Sequence, residues 1–139
     1  MSEIASNAIP KPSPIRDVKS EPFFEGTAQG KLMIRRCPDC GGFAPPAEQY
    51  CTNCMTKLEW VQASGKATLF TWSVVQQVFH PAFADEVPYV IGVVKLEEGP
   101  RLYTRIVGVD VSALRLSMEL EAKFEPWPNG EYLPVFTRK

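Results

Sequence analysis

At 139 residues, 45% of them hydrophobic, the chain has room for one ordinary domain, or for a small metal-stapled module joined to a compact barrel, and no more. Its 15 basic and 16 acidic residues leave a formal net charge of −1, and neither half is basic, so the positive face expected of a nucleic-acid binder does not stand out. No charged segment followed by an apolar run opens the sequence, and no apolar stretch approaches the ~20 residues of a membrane span, which predicts a cytoplasmic protein whose thiols stay reduced.

Residues 1–16 carry Pro10, Pro12 and Pro14 at alternate positions, which removes backbone donors and predicts a flexible tail. Residues 17–64 are expected to form the first structured unit. Ser20-Glu21-Pro22 predicts a short helix with the Ser20 hydroxyl as its cap and a proline in its first turn, and Gly30 is a suitable stop. That helix carries Phe23 and Phe24, too much aromatic surface to leave in water, so it packs on its own chain or grips another subunit. Residues 31–36 alternate, with Leu32 and Ile34 on one side, and predict a strand that feeds a cysteine knuckle.

Cys37-Pro38-Asp39-Cys40 is followed after ten residues by Cys51-Thr52-Asn53-Cys54. Two Cys-x-x-Cys turns this close together present four thiolates to one tetrahedral ion, so Cys37, Cys40, Cys51 and Cys54 are predicted to hold a single metal. Zinc is the expected occupant; iron would also accept four cysteines and would colour the protein. A closed shell of four sulfurs leaves no open position for water or substrate, which makes the site structural. Gly41 and Gly42 are expected to aim amide N–H groups at the first knuckle's sulfurs, whereas Met55 and Thr56 stand where the second would have glycine. Residues 43–46 and 58–61 supply the other strands of this zinc ribbon, and Trp60 is expected to cover the metal or the joint with the next domain.

From residue 65 to residue 139 the texture is repeatedly that of strands: 66–78, 87–96, 102–109, 118–125 and 132–136, with a helical turn over 110–116 capped by Asp110. Five strands with a short helix between the third and fourth match an OB-fold, so the fold class is mainly β, a short N-terminal helix and zinc ribbon followed by a five-stranded barrel. With every cysteine committed to metal no thiol nucleophile is left, and no catalytic residue is assigned, so the chain is not expected to be an enzyme on its own. The lone histidine, His80, lies in the loop Phe79-His80-Pro81-Ala82-Phe83. Phe79, His80 and Phe83, together with Arg105 and the Phe23/Phe24 pair, are candidate contacts to a partner or ligand. A loop histidine bonded to backbone and a solvated arginine are the competing readings.

Taken in order, Pro22-Phe23-Phe24, Gly30-Lys31-Leu32, Arg36-Cys37, Pro45-Pro46, Leu58-Glu59-Trp60, Gly65-Lys66-Ala67, His80-Pro81-Ala82-Phe83, Val87-Pro88-Tyr89, Glu98-Gly99-Pro100-Arg101 and Leu133-Pro134-Val135-Phe136 resemble the acyl-CoA-associated proteins that join a rubredoxin-like zinc ribbon to a C-terminal OB-fold. The resemblance implies a non-catalytic accessory subunit that docks on a thiolase-superfamily enzyme and helps form or stabilise its acyl-CoA site, within a thiolase, aldolase or acyltransferase complex. An alternative from another class is a nucleic-acid-binding zinc-ribbon and OB-fold protein, whose binding would weaken steeply with salt. A third reading is an acyl-CoA binder that works without a partner.

Overall fold

The computed structural model describes residue 14 and residues 16–78 and 81–139. Helix α1 (Glu21–Ala28) precedes a three-stranded antiparallel sheet of β1 (Met33–Arg36), β2 (Phe43–Ala44) and β3 (Glu59–Gln62), in the order β2-β1-β3. Five longer strands come next: β4 (Lys66–Val75), β5 (Tyr89–Leu96), β6 (Arg101–Val107), β7 (Glu119–Pro126) and β8 (Tyr132–Arg138). They close a barrel in the order β4-β5-β6-β8-β7, with β6 and β8 parallel and every other pair antiparallel. This is the connectivity of an OB-fold, reached as the strand signals predict. The helical turn expected over 110–116 is a single 3-10 turn, Val111–Ala113, at whose start Asp110 makes no side-chain cap.

Helix α1 ends where Gly30 predicts. Gly30 takes φ 75, its N–H donates to Thr27 C=O at 3.0 Å, and Lys31 N–H donates to Gly26 C=O at 2.8 Å, so two orphan carbonyls of the last turn are satisfied. The helix start corrects the expectation. Ser20 makes no side-chain cap; its Oγ accepts the Asp17 N–H at 2.9 Å while its own N–H donates to Asp17 Oδ1 at 2.8 Å. The hydroxyl is used by the turn that leads into the helix, an alternative short polar side chains readily take.

Alternation along the barrel strands sorts side chains between core and surface. On β5, Val90, Val94 and Leu96 point inward while Ile91 and Lys95 point out. The same core extends beyond the barrel: Leu32, Ile34 and Ala63 from the sheet region cluster with Leu69, Val94, Leu120 and Phe136. Backbone and side-chain ties reinforce the joint, with Ser64 N–H donating to Glu98 Oε2 at 2.7 Å and Ala122 N–H to Gly65 C=O at 2.8 Å. Arg16 binds both carboxylate oxygens of Glu131 at 2.7 and 2.9 Å and Glu25 at 2.9 Å, so one guanidinium joins the start of the described chain to α1 and to the β7–β8 turn. Among the described residues, no helix is long and apolar enough to cross a membrane.

Candidate metal centre

The two knuckles are built alike. Cys37 N–H donates to Gly42 C=O and Gly41 N–H to Cys37 C=O, each at 2.8 Å; Cys51 N–H donates to Thr56 C=O and Met55 N–H to Cys51 C=O, again at 2.8 Å. Gly41 adopts φ 78, and Met55 adopts φ 60 at the matching position, so the second knuckle makes its turn without the glycine that the first one uses. The amides that approach sulfur are those of the cysteines themselves: Cys40 N–H lies 3.5 Å from Cys37 Sγ and Cys54 N–H 3.4 Å from Cys51 Sγ. This corrects the role expected of the Gly41 amide, which closes the turn on Cys37 C=O. A hydrogen bond from the Thr56 hydroxyl to the Asp39 carboxylate ties one knuckle to the other.

The four Sγ atoms lie within 4.8 Å of one another, and Cys40 and Cys51 stand 3.8 Å apart. A tetrahedron with Zn–S bonds of about 2.3 Å has edges of about 3.8 Å, so the sulfur cage is of the right size for one ion. The electrostatics point the same way. Backbone N–H groups of Cys54 and Asn53 draw the Cys51 thiol down to about 7, whereas the neighbouring sulfur of Cys40, with burial behind it, pushes Cys54 up to about 12. Four sulfurs so close cannot all carry charge against each other, and a cation at their centre removes the conflict. Cys37 and Cys51 are buried with Leu58 in a small cluster flanked by Ala44, too little apolar surface to hold 37–58 by itself.

Other predicted contacts are distributed differently. Phe24 is 8% exposed and Phe23 half-buried, their rings edge to face at 5.3 Å, so the aromatic pair packs chiefly on its own chain. Arg105 is held by Glu86 at 2.6 Å and lies 4.5 Å above the Tyr89 ring, which fixes it on the barrel wall. Phe79 and His80 lie outside the described residues, and Phe83 ends a 3-10 turn, Pro81–Phe83. The structure therefore brings the four cysteines together, with Phe23, Phe24 and Arg105 outside their cluster.

Arg35 carries no sequence signal of a special role, yet it is buried at 6% exposure. Its Nε donates to Pro46 C=O at 3.1 Å, and its guanidinium stacks 3.7 Å from the Trp60 ring. The cross-strand pair Arg35 and Trp60 arises from the β1–β3 register, so no pattern within residues 31–36 alone could reveal it. Trp60 thus covers Arg35 at the edge of a groove between α1, the sheet and the barrel, in line with a place at the joint.

Known proteins share this architecture. A family model described as "ChsH2, C-terminal OB-fold domain" matches residues 60–125. The chain is 33% identical over 129 residues to a "Probable enoyl-CoA hydratase alpha subunit" of Thermomonospora curvata, covering 91% of this chain and spanning 39% of that relative's length. It is 36% identical over 95 residues to a "DUF35 domain-containing scaffold protein" of Methanocaldococcus jannaschii, covering 67% of each. Among solved structures, the "Ltp2-ChsH2(DUF35) aldolase" contains a chain that superposes with a TM-score of 0.80 at 30% identity, covering 91% of this chain and 98% of that one.

Proposed function

Because the chain belongs to the DUF35 family, we propose that it is a non-catalytic accessory subunit that docks on a thiolase-superfamily enzyme and helps form or stabilise that enzyme's acyl-CoA site. The observation that carries this reading is the match to the DUF35 chain of an aldolase assembly, which spans nearly the whole of both chains. The names of the relatives, a scaffold protein and a hydratase alpha subunit, support the same role.

In this reading residues 17–64 are a zinc ribbon and residues 65–139 an OB-fold, and Cys37, Cys40, Cys51 and Cys54 hold one zinc ion. Bound there, zinc supplies a cross-link and no reactive position. The chain's own residues do the rest: Leu32, Ile34 and Ala63 lock the ribbon to the barrel core, and Arg16 fastens α1 to the β7–β8 turn. A partner thus meets one rigid surface made of helix, ribbon and barrel. The chemistry of condensation or cleavage is assigned to the partner, since all four cysteines of this chain are committed to one closed four-sulfur shell.

Co-expression with the product of the adjacent open reading frame tests this. The two proteins should elute together from a sizing column, and the partner should lose stability or acyl-CoA turnover without this chain. Separate elution, with the partner stable and fully active alone, would overturn the proposal.

A further inference from the structure

Arg35 lines a groove of about 630 Å3, within the ~300–1,000 Å3 usual for small-molecule sites. Its surroundings are apolar and aromatic: Phe23 and Phe24 from α1, Trp60 from β3, Pro46 from the loop after β2, and Tyr103 from β6. A guanidinium offers five N–H donors, and here one, on Nε, reaches Pro46 C=O while one face rests on Trp60. Among the described residues no carboxylate forms an ion pair with it. Asp17 on the rim has its Oδ1 engaged by the Ser20 N–H, and Lys19 and Arg101 add positive charge there.

Trp60 and Pro46 take much of this cation out of water, and among the described residues no carboxylate pairs with it, so an anion entering the groove gains a charge partner. Burial pulls the Arg35 guanidinium below its ordinary pKa. The planar fork of Nη atoms fits a carboxylate in two parallel hydrogen bonds, and a single buried charge matches a monoanion. Tyr103, 87% exposed, offers a ring to whatever enters.

We propose that this groove is a binding site for a small amphipathic carboxylate, whose oxygens pair with the Arg35 Nη atoms and whose apolar body lies between Phe23, Trp60 and Tyr103. The site is lined by residues of this chain and does not depend on the accessory-subunit reading, so the 139-residue chain with its metal bound is sufficient to test it.

Titration with 4-phenylbutyrate, followed by 1H–15N NMR at the Arg35 Nε–H and the Trp60 indole N–H, should give saturable shifts. The uncharged 4-phenylbutan-1-ol should bind at least about tenfold more weakly, and 4-phenylbutylphosphonate should not surpass the carboxylate. Arg35→Met, which keeps the apolar stem against Trp60, should erase the difference between acid and alcohol, whereas Arg36→Met on the same strand should retain it. Equal binding of acid and alcohol, no shift at Trp60 up to tens of millimolar, or a preference for the phosphonate would each overturn the proposal. Should Arg35→Met fail to fold, the acid and alcohol titrations of the native protein still decide it.

Discussion

Met55 holds a left-handed backbone that its side chain opposes. At φ 60 it stands where Gly41 stands in the other knuckle, and it is 76% exposed, so its side chain gives up little contact if removed. A non-glycine residue in this region costs about 1–2 kcal/mol, while glycine adds about 0.5–1 kcal/mol of unfolded-state entropy. Met55→Gly should therefore stabilise the metal-loaded protein by about 0.5–1 kcal/mol in denaturant titration, and a destabilised variant would mean that Met55 makes a contact of its own. At the β7–β8 turn of the barrel, two hydrogen bonds from Arg16 hold the Glu131 carboxyl below its ordinary value of 4.5. A carboxyl lowered in this way contributes stability that is complete above its unfolded pKa and is lost as pH falls through the folded one. Thermal melts should show native protein above Glu131→Gln at neutral pH and the gap closing in acid, below about pH 4. A gap that persists unchanged would remove the ion pair from the account.

Helix α1 is placed by a close approach to β1. A Cβ on Gly26 would lie 2.4 Å from Met33 Cγ and 3.1 Å from the Lys31 carbonyl oxygen, so the helix meets the strand at a spacing that only glycine permits. Gly26→Ala gains up to about 1 kcal/mol of helix propensity, against about 1–3 kcal/mol of overpacking. The variant should melt at a lower temperature than the native protein. A higher melting temperature would show that Met33 moves aside freely. The helix's existence and its end at Gly30 are readable from residues 20–30. The use of Ser20 is not, because Asp17, three residues upstream, competes for the same hydroxyl through a turn.

Among the described residues, two unequal cores coexist: a large one shared by barrel and sheet, and the small cluster of Cys37, Cys51 and Leu58 under the knuckles. Since a structural zinc ion contributes on the order of 10 kcal/mol in small zinc modules, chelation or Cys37→Ser should unfold the knuckles while the barrel persists. Hydrogen exchange checks this, with protection lost over residues 37–58 and kept on β5 and β6. Protection that survives metal removal throughout would mean the ribbon does not need its ion.

Strand number, barrel class and the cysteine quartet are all legible in the residues alone, because each is written in local pattern: alternation, turn residues and the Cys-x-x-Cys spacing. The family likeness is legible there too, through motifs whose order is preserved along the chain. It took the folded arrangement to establish that Leu32, Ile34 and Ala63 belong to the barrel's core, that Phe24 turns inward, that Met55 occupies a glycine's conformation, and that Arg35 lies buried against Trp60. Those outcomes depend on which segments meet across the β1–β3 register and the joint between sheet and barrel. A side chain's burial is a property of its neighbours, and Arg35 meets Pro46 and Trp60 only because the chain folds back on itself between them.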